Sequence, residues 1–115
     1  MKKIEIKSLV SIFQVSNIEQ SLIWYKKWLG EPDVIPMEGT VEYKLNSNAW
    51  LQLSCDEENK KETSAIVVGV EDINLTKKIL EESEIKTGEI IDYEVVLVFD
   101  IFDIDGNKIT FAQEV

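Results

Sequence analysis

Few side chains in this sequence can do chemistry, and the absences are as informative as the groups present. There is no His, and the 12 cations are all Lys, against 22 Asp and Glu. Without imidazole no Ser–His or Cys–His pair can form, and a general acid or base would have to be Asp, Glu, Lys, Tyr or Cys. Glu38, Glu42 and Tyr43 are the nearest candidates, yet nothing around them sets them apart from solvated residues, and no catalytic residue is assigned. The single Cys55 has only Lys to lower its thiol pKa and reads as inert. Being alone, it excludes an internal disulfide and fits a reducing compartment. The lack of Arg removes the planar fork that grips carboxylates and phosphates at two points, so a tightly held phosphorylated or CoA-type substrate is not expected. The acids of Asp103-Ile-Asp-Gly-Asn107 suggest a calcium loop, but such a loop needs Gly in sixth place and a bidentate acid in twelfth. Here Gly is fourth, and a hairpin turn is the better reading.

These groups sit on a framework that is used twice. Ser11-Ile-Phe-Gln-Val-Ser-Asn-Ile18 returns in pattern as Ile66-Val-Val-Gly-Val-Glu-Asp-Ile73, each an apolar strand running into a polar cap and a helix. Trp50-Leu-Gln-Leu-Ser54 and Lys108-Ile-Thr-Phe-Ala112 close the two halves as similar alternating strands. Between them, Ser16 or Asn17 caps a helix whose apolar stripe is Ile18, Leu22, Tyr25 and Leu29, stopped by Gly30. Strands are expected near 33–36, 40–45 and 50–54, then at 65–70. A second helix runs from a cap at Asp72 to near Glu84, followed by strands at 94–102 and 108–113. The polar run 56–62 reads as a hinge joining modules 1–57 and 63–115 within one domain. Trp24 and Trp28 fall on the flank of the first helix and are expected to be partly exposed, available to a partner chain.

Composition bounds the partners. At 115 residues the chain can bury roughly two thirds of its unfolded surface. The net charge of −10 is concentrated in the second half: residues 58–115 hold 6 Lys against 14 acids, whereas residues 1–57 hold 6 against 8. Such acidity repels phosphate backbones, so no nucleic-acid partner is expected. No apolar run approaches the roughly 20 residues that span a bilayer, and the start lacks a signal-peptide core. The expectation is a cytoplasmic protein with no membrane partner.

Three segments in order, Val15-Ser-Asn-Ile-Glu-Gln-Ser-Leu-Ile-Trp-Tyr25 with Leu29-Gly30, Val70-Glu-Asp-Ile73, and Phe102-Asp-Ile-Asp-Gly-Asn-Lys-Ile109, carry a resemblance over nearly the whole chain. It resembles the vicinal oxygen chelate superfamily, which contains glyoxalase I, bleomycin-resistance proteins, fosfomycin-resistance enzymes and extradiol dioxygenases. Ile104 departs from that pattern, where Pro is common. The resemblance implies an α+β fold of two βαβββ modules forming a curved mixed sheet around a cavity, and a homodimer as the expected assembly.

Metal-dependent relatives take their ligands from the first and last strand of each module. Carried over, those positions are Val10 and Gln52 in the first half, Ala65 and Thr110 in the second. Two have no donor atom, and the others offer only an amide oxygen and a hydroxyl, so no metal and no cofactor is expected. Alternation places Val10, Ile12 and Gln14 on the concave face with Ala65, Val67 and Gly69. Gln14, Gln52 and Thr110 are then expected as polar anchors of a small-molecule site, with Met37, Tyr43 and Trp50 as its walls. The implied role is a metal-independent binder of a neutral or cationic organic molecule, similar to the bleomycin-resistance branch. An enzyme of lyase or isomerase type using a carboxylate or Tyr, and a scaffold with a vestigial pocket, remain as alternatives.

Overall fold

The computed structural model describes residues 3–55 and 62–115. Its elements follow the order β1 (Leu9–Gln14), α1 (Ile18–Leu29), β2 (Val34–Met37), β3 (Thr40–Asn46), β4 (Ala49–Ser54), β5 (Ala65–Gly69), α2 (Ile73–Glu82), β6 (Ile91–Asp92), β7 (Val96–Phe102) and β8 (Lys108–Glu114). They form two four-stranded sheets of matching order, β1-β4-β3-β2 and β5-β8-β7-β6. In each, the first strand lies parallel to the last and the other pairs are antiparallel. The α+β, two-module architecture expected above is the one found. The proposed hinge falls, for residues 56–61, outside the described residues.

Local chemistry explains the element ends. Asn17 accepts from the Gln20 amide at 3.0 Å and Asp72 from the Leu75 amide at 3.0 Å, so each helix starts on an acceptor side chain. Gly30 ends α1 at φ 74°, ψ −151°, a region nearly closed to other residues. No heavy atom stands within 4 Å of where its Cβ would be. Gly30→Ala should therefore lose about 1–3 kcal/mol through backbone strain alone, read as a lower urea midpoint.

The second module departs from the expected boundaries. Helix α2 stops at Glu82, and Glu84 takes a positive φ of 64° in the turn that follows. The apolar stretch from Glu94 is not one strand. Glu94 itself is left-handed at φ 74°, its amide bonded to the Asp92 carboxylate at 2.7 Å, so the ladder resumes only at Val96.

One core serves both modules. Phe13, Val41, Tyr43, Leu51 and Leu53 of the first sheet cluster with Phe99, Ile101, Ile109 and Phe111 of the second. Helix α1 bridges them. Ser21 and Tyr25 are its buried residues, while Ile18, Leu22 and Leu29 flank them, half-buried. Trp24 and Trp28 are half-buried, so each stays partly exposed as expected, but both pack on the core, and Trp28 meets Phe111 in a T-shaped contact at 5.8 Å.

The turn Asp103–Asn107 fastens the modules to each other. Buried Asp103 accepts from the Tyr25 hydroxyl at 2.8 Å and from the Asn107 side chain at 2.9 Å. The Asn107 amide group also donates to the Gln14 carbonyl at 3.0 Å, and its oxygen accepts from the Ser64 amide at 2.9 Å. The Asp105 carboxylate receives the Ser16 amide at 3.2 Å. A turn that looks like surface punctuation in the sequence is thus the polar clasp between the first strand and the last hairpin.

Burial, then the neighbouring Asp103 charge and hydrogen bond, raise the Tyr25 pKa far above its ordinary value. Burial, with help from Glu31 and Asp33, pushes Tyr43 up to about 12. An unfolded tyrosine ionises near pH 10, so the stability these residues contribute is complete below that pH. It is lost as pH rises, through about 12 for Tyr43 and beyond for Tyr25. Urea midpoints should hold up to about pH 9 and fall steeply above about pH 10, by up to ~1.4 kcal/mol per pH unit for Tyr25. Tyr25→Phe should flatten that fall, and a flat midpoint in the native chain would refute the assignment.

Candidate functional site

With the helices on the core side, the opposite face of each sheet is left open. Side chains alternate across a strand, so the residues not used by the core form a second surface. In the first sheet it has three rows, fixed by register: Val10, Trp50 and Lys44; Ile12, Gln52 and Glu42; Gln14, Ser54 and Thr40, the last continued by Met37. The second sheet repeats the pattern with Ala65, Lys108 and Phe102; Val67, Thr110 and Asp100; Gly69, Ala112 and Val98. Several apolar members of these rows are exposed, Ile12 by 49% and Val67 by 72%, while Trp50, Val98 and Ala112 are half-buried.

The middle rows correspond most closely. Gln52 donates from Nε2 to Glu42 Oε2 at 2.8 Å, and Thr110 donates from Oγ1 to Asp100 Oδ1 at 2.6 Å. In both modules, then, the last strand carries a neutral polar group tied to an acid on the strand before it. In the first module Lys44 places its ammonium 5.8 Å from the centre of the Trp50 ring. Two cavities adjoin the second sheet: about 410 Å³ lined by Gly69, Val70, Glu71, Ala112, Gln113 and Glu114, and about 350 Å³ lined by Lys86, Thr87, Gly88, Asp100 and Phe102.

The six residues expected to hold a ligand are not all on these faces. Gln14, Met37, Trp50 and Gln52 share the open face of the first sheet, and Thr110 lies on that of the second. Tyr43 does not join them. It is only 1% exposed, faces the core with Val41, and donates its hydroxyl to the Gly30 carbonyl at 2.9 Å. Its phase with Val41 and Leu45 in β3 was the signal, since all three point the same way. Asp100, Phe102 and Lys86 were not anticipated. The clue for Asp100 is a charge in the middle of an otherwise apolar strand.

The positions at which the superfamily holds its metal fail a test of donor chemistry. Val10 and Ala65 have no ligating atom. The Gln52 amide is engaged by Glu42 and the Thr110 hydroxyl by Asp100. Transition ions at such sites need imidazole or free carboxylate donors, several at once. Among the described residues no three of His, Cys, Asp or Glu are grouped so as to hold an ion. Tyr43 and Tyr25 offer no acid–base substitute, as both hydroxyls are committed inside the core.

No protein-family model matches the chain, and neither does any curated protein. Solved structures do. A glyoxalase/bleomycin resistance protein from Catenulispora acidiphila superposes with a TM-score of 0.84 at 23% identity, covering 94% of this chain and 98% of its own. A glyoxalase/bleomycin resistance protein/dioxygenase from Nocardioides gives 0.77 at 14%, covering 100% and 87%. A lactoylglutathione lyase from Agrobacterium tumefaciens gives 0.75 at 15%, covering 91% of each. The chain has the fold of the glyoxalase/bleomycin-resistance proteins, the fold that the resemblance implied. Among the described residues, no helix is long and apolar enough to cross a membrane.

Proposed function

We propose that this chain is a metal-independent small-molecule-binding protein of the vicinal oxygen chelate superfamily, holding a neutral or cationic organic guest on its open sheet faces. One observation carries the reading. The four positions that relatives use for metal lie on those faces, yet here they are two aliphatic side chains and two polar groups already tied to acids. What is left is a mixed surface, on which exposed Val10, Ile12, Met37 and Val67 lie beside polar and charged groups and can offer a small organic molecule both apolar contact and polar anchors. Trp50 with Lys44 above it, and Gln52 with Glu42, form the polar and aromatic part of the first face.

A second copy of the chain is the natural cover for these faces. Exposed Val10, Ile12 and Met37 on one sheet and Val67 and Phe102 on the other leave substantial apolar surface in water for a single chain. A homodimer that sets open faces against each other would turn each into a closed pocket. Light scattering at micromolar concentration should return twice the chain mass. A monomer at all concentrations would remove this part of the proposal.

The binding reading is tested by titrating a panel of neutral and cationic aromatic compounds while following tryptophan fluorescence, with and without EDTA. The expected result is saturable binding by some members, unaffected by the chelator. Trp50→Phe should remove most of the signal change for guests on the first face. Binding that appears only when a divalent metal is added would overturn the proposal.

A further inference from the structure

A cavity of about 350 Å³ lies beside β7, outside the groups assigned above. Its floor is fixed from behind. Lys77 donates to the Thr87 hydroxyl at 2.8 Å and to the Gly88 carbonyl at 2.6 Å, while Thr87 donates to Glu81 at 3.1 Å. Gly88 lies against β7, its amide bonded to the Asp100 carbonyl at 2.8 Å. A Cβ there would stand 3.2 Å from that carbonyl oxygen, a tight contact that glycine avoids.

Residues with three kinds of recognition group line this space. Asp100 has Oδ1 occupied by the Thr110 hydroxyl, and its other oxygen has no protein donor among the described residues. Lys86 lines the same cavity, and the ion pair found among the described residues is Lys26–Glu31, so Lys86 and Asp100 do not neutralise each other. Phe102, 55% exposed, supplies an aromatic wall. An unpaired cation, a carboxylate with a free acceptor and a ring around one small cavity match a molecule bearing an ammonium, a carboxylate and a flat apolar group. We propose that this cavity binds an aromatic amino acid or a similar zwitterion, its ammonium on Asp100, its carboxylate on Lys86 and its ring on Phe102. This rests on, and narrows, the reading of the open faces as small-molecule sites. The guest is neutral overall, which suits an acidic protein that would repel a simple anion.

The test is a ligand-observed NMR titration of the full chain with L-phenylalanine, phenethylamine and 3-phenylpropionate, which share a ring but carry both charges, only the cation or only the anion. Phenylalanine should bind about tenfold more tightly than either of the others, the scale of a charge-assisted hydrogen bond. Asp100→Asn, which keeps an acceptor for Thr110, should weaken phenylalanine and phenethylamine about tenfold and leave 3-phenylpropionate unchanged. Lys86→Glu, at an exposed position that does not carry the fold, should invert the order so that phenethylamine binds best. Equal affinities for the three, an order unchanged in Lys86→Glu, or no saturable binding by any of them would overturn the assignment. Saturable binding of other compounds at Trp50 alongside such a failure would leave the general binding role standing and remove only this site.

Discussion

Asn107→Ala should lower stability by about 3–5 kcal/mol, among the largest losses available from a single polar side chain in this chain. Asn107 is fully buried, and its side chain makes three bonds: to the Gln14 carbonyl, to Asp103 and from the Ser64 amide. Truncation takes partners from a strand carbonyl, a loop amide and part of a buried carboxylate together. The cost exceeds that of an ordinary hydrogen bond because buried groups left unpaired forfeit their solvation outright. Since Gln14 belongs to one module and Asp103 to the other, the loss should also uncouple the halves. Urea unfolding of the variant, followed by near-UV and far-UV circular dichroism, should give a reduced midpoint. Tyr25→Phe, which removes one of the donors to Asp103, should cost less, about 1–3 kcal/mol. Equal stability of Asn107→Ala and the native chain would show that the clasp is not what joins the modules.

Phe111→Ala should cost about 3–5 kcal/mol for a different reason. Its ring stacks on Phe99 at 5.2 Å and receives the edge of Trp28 at 5.8 Å, so it is where α1 of the first module meets the sheet of the second. Deleting it leaves a cavity between two elements that cannot both relax, because each is pinned by its own sheet or helix contacts. Phe111→Leu, which keeps most of the volume, should recover much of the loss. The two substitutions probe the same boundary, one through polar groups and one through packing. Their effects should add only partly, since Tyr25 and Trp28 share helix α1 and link both sites.

How much of this was readable beforehand varies with the kind of signal. The paired modules followed from local chemistry that repeats: an alternating strand, a cap at Asn17 or Asp72, and a helical stripe. Strand alternation also put Gln14, Gln52 and Thr110 on the side away from the core. Tyr43 has the aromatic and hydroxyl character of a ligand wall, but its phase with Val41 and Leu45 points it inward. Trp24 and Trp28 looked peripheral to a stripe drawn through Leu22 and Leu29. The second module engages Trp28 through Phe111, and a contact between halves leaves no periodic mark in the sequence. The clasp was hidden for the same reason: the link from Asn107 to Gln14 joins residues far apart in the chain. Lys86 and Asp100 meet at one cavity only because Gly88 pairs with β7, a fact of register rather than composition.

The most direct measurement is the metal content of the chain after equilibrium dialysis against Zn²⁺, Ni²⁺, Mn²⁺ and Fe²⁺ in turn, read by elemental analysis. With Val10, Gln52, Ala65 and Thr110 at the positions relatives use for ligation, the expected outcome is no stoichiometric retention of any of the four, with organic guests bound equally well in chelator. One equivalent held per chain, lost on Gln52→Ala or Thr110→Ala, would contradict the account.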